Sequence, residues 1–499
     1  YSKLHRYPDA IWQQEASARV DHAHMMRDRV MPGQIHNYAH NNEWLIRNLI
    51  FLGHAARARE LARNMIDIPR HPDQNNIAKG GSCAAYGRER MRGVLQQFEF
   101  WSEILTLENT ELFQPLPDDT KDEIQTHRIL AIAAYQLKKI DDGNRHLAAL
   151  EKLLADKKVA RYSAADAVEE KARTAKKADK VIAEEMAGEL LKHSGSIKDI
   201  EKAIGELQGY SLLAADKFPE ALAEFQKHKE NSGIPKDVLA RLLSLCNDHV
   251  GAVELARKAV ETGVNQILPQ ATLVEVLHRA GKIPEATTEF AKLRSLAGTA
   301  DLDLPIFERL KPLAEVLQYP ADWRTPNPPS TDVGIRPDLN SLGPFRWEPS
   351  PAVSWSLTSG SDQTVSLEQY RGKPVIVIFY LGAGCLHCVE QLKQFASKHD
   401  EFTTAGLPIV AISSESLDSL KKSIEDFDKE KPIPFPLLAD PSLEVFRKYR
   451  THDDFENLPL HGTFLIDPQG LVRWQDISFE PFTNTDFLIK EARRLLGTP

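Results

Sequence analysis

The sequence predicts a multidomain protein: a long all-α region of helical repeats followed by an α/β domain at the C-terminal end. Three observations predict it. Residues 1 to about 318 carry apolar side chains at i, i+3, i+4 spacing with few β-branched runs and short polar breaks, the periodicity of amphipathic helices. Prolines then stand at 320, 326, 328, 329, 337, 344, 349 and 351, a density that forbids helix and favours an extended connector. Beyond them, buried-strand runs alternate with helical segments. A chain of 499 residues is in any case too long for one hydrophobic core.

We place a helical, His/Met-rich region at 1–115, helical repeats at 116–319, the Pro-rich linker at 320–350 and the α/β domain at 351–499. The repeats are visible in the text of the chain. Asp216-Lys217-Phe218-Pro219-Glu220-Ala221, ending at Phe225, recurs 65 residues later as Gly281-Lys282-Ile283-Pro284-Glu285-Ala286, ending at Phe290. Between them, Asp248 to Ala252 places its small residue 31 after Ala221 and 34 before Ala286. Gly53 to Ala58 carries the same turn-then-alanine pattern, and Lys138 to Leu147 is a weaker copy. Together these resemble tetratricopeptide repeats, and the resemblance implies a solenoid in which a small residue lets two antiparallel helices pack closely. Such a solenoid is expected to bind a protein client. Ala164 to Glu185, charged and alanine-rich, reads as one solvated helix.

Composition narrows the classes of function. The net charge of -9 is spread along the chain and offers no basic face, so nucleic acid is not expected as a partner. No run of 18 uncharged apolar residues exists to cross a bilayer as a helix. The chain opens at Tyr1 without Met, basic n-region or apolar h-region and reads as a processed or trimmed product.

In the last 150 residues we expect strands at Pro374 to Leu381, Leu407 to Ser413, Phe435 to Leu438, Thr463 to Ile466 and Leu471 to Gln475. Helices are expected at Cys388 to His399, Leu417 to Lys429 and Asp486 to Leu496. Of the four cysteines, Cys83 and Cys246 read as buried thiols, whereas Cys385 and Cys388 stand close together after a strand. A CxxC has two chemistries: half of a zinc site, for which no second CxxC or CxxH exists here, or a dithiol. A helix N-terminus carries partial positive charge and free N–H groups, which favour the reactive thiolate.

Three blocks, FYLGAGCLHC, IVAISSES and HGTFLIDPQGLVRW, follow one another in an order that resembles the thioredoxin superfamily, most closely its redoxin, AhpC/TSA and TlpA-like branches. The resemblance implies a thioredoxin-like fold and a thiol-disulfide oxidoreductase. Cys385 would attack, Cys388 would resolve, and His387, as in DsbA-type CxHC oxidants, would stabilise the thiolate and make the disulfide oxidising. Gly382 stands where peroxidases carry a Thr or Ser three residues before the attacking cysteine, so peroxide reduction is disfavoured. Ile378 replaces the buried acid of thioredoxins, and His461 stands where they carry a cis-proline.

His461 supports two readings. It would orient and tune the thiolates, or it would complete a soft S2N ligand set, Cys385, Cys388 and His461, similar to the copper site of Sco-type chaperones. No cofactor is required for the first reading; copper is the cofactor of the second. A further His/Met cluster marks the N-terminus, where His22, His24, His36 and His40 are candidate metal ligands or polar knitting between helices. We therefore expect a thiol-disulfide oxidoreductase positioned on a protein by its repeats, with copper binding or delivery as the alternative and a non-catalytic scaffold as the second alternative. A reactive disulfide pair favours an extracytoplasmic compartment, periplasmic or secreted.

Overall fold

The computed structural model describes residues 1–35, 37–227, 233–326, 330–430 and 432–497. The chain divides into two compact units. The first comprises residues 1–13, 44–62 and 88–335; the second comprises 14–43, 63–87 and 336–499.

The first unit is helical, and consecutive helices joined by short turns pack in pairs. Ser194–Ala214 packs on Phe218–Lys227, Lys236–Leu245 on His249–Thr262, and Ile267–Arg279 on Ile283–Leu296. The small residues of the repeated motif do what their size suggests: Ala221, Ala252 and Ala286 are fully buried where the helices approach. Gly209 is equally constrained, because a Cβ there would sit 2.5 Å from the Phe225 ring. The expected single solvated helix from Ala164 to Glu185 is instead two. Ile140–Thr174 ends, Lys176 turns into the left-handed region at φ 54°, and Asp179–Lys192 begins.

The second unit contains a seven-stranded sheet. Its strands, with a separate two-stranded ribbon, are β1 (Ser356–Ser359), β2 (Thr364–Ser366), β3 (Val375–Tyr380), β4 (Ile409–Ser413), β5 (Leu437–Ala439), β6 (His452–Asp453), β7 (Leu458–Pro459), β8 (His461–Ile466) and β9 (Val472–Ser478). The order is β2-β1-β5-β4-β3-β8-β9, with β3, β4 and β5 mutually parallel and β8 antiparallel to β3. β3 is buried along its whole length because both faces of the sheet are covered. Ile376, Ile378 and Tyr380 pack with Leu392, Phe395 and Trp474 on one face, while Val375, Val377 and Phe379 pack with Phe446, Tyr449 and Phe464 on the other. That is why the sequence reads VIVIFY without alternation.

Parts of the N-terminal segments belong to this unit. Trp474 Nε1 donates to the Arg70 carbonyl at 2.6 Å, Arg70 N donates to Glu491 Oε1 at 2.8 Å, and Arg494 Nη2 donates to the Ile68 carbonyl at 2.9 Å. From Arg336 to Ser350 the chain is almost without regular structure and lies against the N-terminal segments, with Asn64 Nδ2 donating to the Trp347 carbonyl and Ser350 Oγ to the Met26 carbonyl.

Candidate functional site

The site forms where β3 ends. Leu381 to Gly384 lead from the strand to the helix Leu386–Ser397, and Gly382 adopts φ 118°, a conformation that side chains disfavour. A Cβ at Gly382 would also meet the Glu415 side chain at 2.6 Å, so the loop depends on glycine for two reasons. Cys385 is the N-cap of the helix, and its Sγ accepts the Cys388 N–H at 3.3 Å. Cys388, one turn further, is fully buried beneath it.

β8 runs beside β3 with Gly462 opposite Phe379, and this register brings His461 to the dithiol. Its Nε2 lies 3.1 Å from Cys388 Sγ and 3.7 Å from Cys385 Sγ. The three ligand atoms, one from each residue, lie within 4.8 Å of one another, and this is the one such His/Cys/Asp/Glu group among the described residues.

Electrostatics separates the roles. Burial, with a smaller contribution from the bond to Cys385, pushes the Cys388 thiol up to about 12, against the Leu381 and Gly382 N–H groups that favour its anion. The Leu381 N–H reaches Cys388 Sγ at 3.3 Å. Burial also lowers the His461 imidazole below its usual value, with the Phe479 and Ser478 carbonyls and Glu480 opposing. His461 Nδ1 is buried and makes no hydrogen bond of standard geometry among the described residues. In the tautomer that carries its proton on Nδ1, Nε2 is the acceptor for the Cys388 S–H.

Cys385, Cys388 and His461 are brought together as the sequence suggested. His387 is placed differently. It is exposed, and its Nδ1 is 2.7 Å from Glu480 Oε2, a partner 93 residues away that sequence reasoning did not single out. The N-terminal histidines do not assemble into such a group among the described residues. Both ring nitrogens of His22 are engaged, by Tyr38 Oη at 2.9 Å and the Pro344 carbonyl at 3.1 Å, while His24 meets Asp28 at 2.7 Å. His40 lies in the helix Tyr38–Phe51, and His36 lies outside the described residues. Sequence reasoning also passed over Gln391 and Thr463, although each repeats the spacing of a site residue on its own element.

A model of the AhpC/TSA family matches residues 350–475. Over 143 residues the chain is 31% identical to the chloroplastic peroxiredoxin Q of Sedum lineare, covering 28% of this chain and 75% of that relative. The chain belongs to the AhpC/TSA family. It is also 31% identical over 112 residues to a peroxiredoxin of Thermoplasma volcanium, covering 22% of this chain and just over half, 55%, of that one. A crystal structure of peroxidoxin BcpB from Mycobacterium tuberculosis aligns with a TM-score of 0.26 and 20% identity, over 30% of this chain and 94% of the other. The AhpC/TSA match covers the strands and helix that carry both cysteines and His461, and places the C-terminal domain among thiol oxidoreductases in the broad sense.

Proposed function

We propose that the AhpC/TSA domain is a thiol-disulfide oxidoreductase working through the Cys385/Cys388 pair on a protein client. The observation that carries this reading is the contact of His461 Nε2 with both sulfurs, 3.1 Å from Cys388 and 3.7 Å from Cys385. Cys385, half-buried at the helix N-terminus, attacks one sulfur of a client disulfide, forming a mixed disulfide and releasing the other client sulfur as thiolate. As the Cys388 sulfur attacks Cys385 Sγ, His461 Nε2 takes up its proton and passes it to the client's second sulfur as that sulfur leaves, and the Cys385–Cys388 disulfide remains. Run in reverse, the same steps oxidise a client dithiol. Leu386, 81% exposed beside Cys385, offers an apolar contact for a client, and the His387–Glu480 pair supplies charge at the rim.

The helical unit is the element we assign to client recognition, in keeping with its tetratricopeptide-like motif. Trapping tests the exchange reading. Cys388→Ser should accumulate a mixed disulfide with a model disulfide peptide, and Cys385→Ser should not. Equal trapping by both variants, or by neither, contradicts it. Hydrogen peroxide in a parallel reaction distinguishes the peroxidase activity suggested by the relatives' names, which Gly382 disfavours.

The S2N geometry favours a second reading, copper binding or delivery. Two soft sulfurs and one imidazole within 4.8 Å suit a copper(I) ion, held by Cys385, Cys388 and His461. Anaerobic copper(I) titration of the reduced chain tests it: one equivalent bound, and lost in His461→Asn, supports it, whereas no uptake removes it.

A further inference from the structure

We propose that Gln391 is a positioning residue whose carboxamide fixes the helix Leu386–Ser397 against β8 and so holds Cys388 Sγ on His461 Nε2. The inference rests on the reading of Cys388 and His461 as the working pair. Gln391 lies three residues after Cys388 on the same helix face, and Thr463 lies two residues after His461 on the same strand face. The Cys388–His461 contact and the Gln391–Thr463 contact are therefore successive rungs between the same two elements.

Gln391 Nε2 donates to Thr463 Oγ1 at 3.3 Å and to the Phe482 carbonyl at 2.9 Å. The side chain is fully buried, and its Oε1 has no hydrogen-bond partner among the described residues. Neighbouring core positions of the helix are Leu392, Phe395 and Ala396, so packing alone would be served by leucine. A buried amide with its acceptor unused is a costly way to fill space, which points to the two bonds its nitrogen makes. Among the described residues His461 Nδ1 makes no hydrogen bond of standard geometry, the Phe479 and Ser478 carbonyls acting on the ring only weakly, and Nε2 meets the two sulfurs. The ring's alignment with Cys388 thus depends on where the helix sits.

The full chain with 5,5′-dithiobis(2-nitrobenzoate) separates the steps. Cys385 attacks the reagent and releases one nitrothiobenzoate; Cys388 then displaces the second as the internal disulfide closes. Gln391→Leu should leave the first release unchanged and slow the second by about tenfold or more, the scale of a small misplacement of reacting groups. In a His461→Asn background the same substitution should add nothing. A folded Gln391→Leu protein with unchanged second release, or one slowed equally in both backgrounds, overturns the proposal. Should Gln391→Leu fail to fold, Thr463→Val removes one of the two bonds at constant shape, with Thr463→Ser as the rescue, and is judged by the same two outcomes. A wild-type chain without second release contradicts the exchange reading instead. Alkylation of Cys388 in a Cys385→Ser background then decides for Gln391: a rate changed by Gln391→Leu in the presence of His461 and not in its absence supports it, and any other result overturns it.

Discussion

Cys385 and Cys388 are three positions apart yet meet different surroundings, and this is where the chemistry divides. Cys385 is half-buried and its neighbour Leu386 is open to solvent, whereas Cys388 is sealed and its thiol is pushed up to about 12 by burial. Iodoacetamide at pH 8 should therefore label the Cys385 position at least about tenfold faster, read by peptide mass spectrometry. Equal labelling would contradict the assignment of roles. Two histidines outside the site set a pH dependence. Burial lowers His22 and His146 from 6.5 to about 4, so both are neutral in the folded chain where an unfolded imidazole would already be charged. Below pH 6.5 the unfolded state binds the extra protons, and stability should fall as pH drops toward 4, by about 3 kcal/mol per histidine if the full shift is expressed. Urea melts across that window check it, and His22→Phe should flatten part of the slope. The closeness of Cys385 and Cys388 was legible because it is local in sequence, and that of His461 because it sits at a fixed offset in HGTFLID. Gln391 was not, since a buried glutamine on a core face is spelled like a solvated one, and the Glu480 partner of His387 lies too far along the chain to be read from spacing.

At the scale of elements, close approach decides which positions tolerate change. A Cβ at Gly143 would stand 2.3 Å from the Tyr135 ring, and one at Gly209 would stand 2.5 Å from the Phe225 ring. Alanine in mid-helix normally stabilises relative to glycine by up to about 1 kcal/mol. Here Gly143→Ala and Gly209→Ala should each destabilise by about 1–3 kcal/mol through overpacking. Thermal melts of the two variants check this, and a raised midpoint would contradict it. The central strands were legible from their unbroken apolar runs. The β1–β2 hairpin was missed, because SLTS and TVS are short, mostly polar and half-exposed at the sheet edge, where period-2 patterning is weak. The helix break at Lys176 was missed as well: AKKAD contains no proline or glycine to announce it.

For the whole molecule, the division into a helical region and a thioredoxin-like domain was legible from the change in periodicity and the prolines between. The sequence carries no signal that residues 63–87 would cap the C-terminal domain, since those contacts use a carbonyl and an amide of the main chain at Arg70 together with Trp474 and Glu491. A fragment of residues 336–499 alone exposes those groups. It should therefore melt at a lower temperature than one that retains the N-terminal segments of its unit, and equal midpoints would contradict a stabilising role for the cap. Whether the family fold works here as a dithiol pair is decided most directly by equilibrating the full chain in glutathione buffers of graded potential and following Cys385 and Cys388 by mass spectrometry, with metal content measured on the same samples. The account predicts one reversible two-electron transition mapped to the Cys385–Cys388 disulfide in metal-free protein; thiols that never pair at any potential, or a pair permanently occupied by copper, would contradict it.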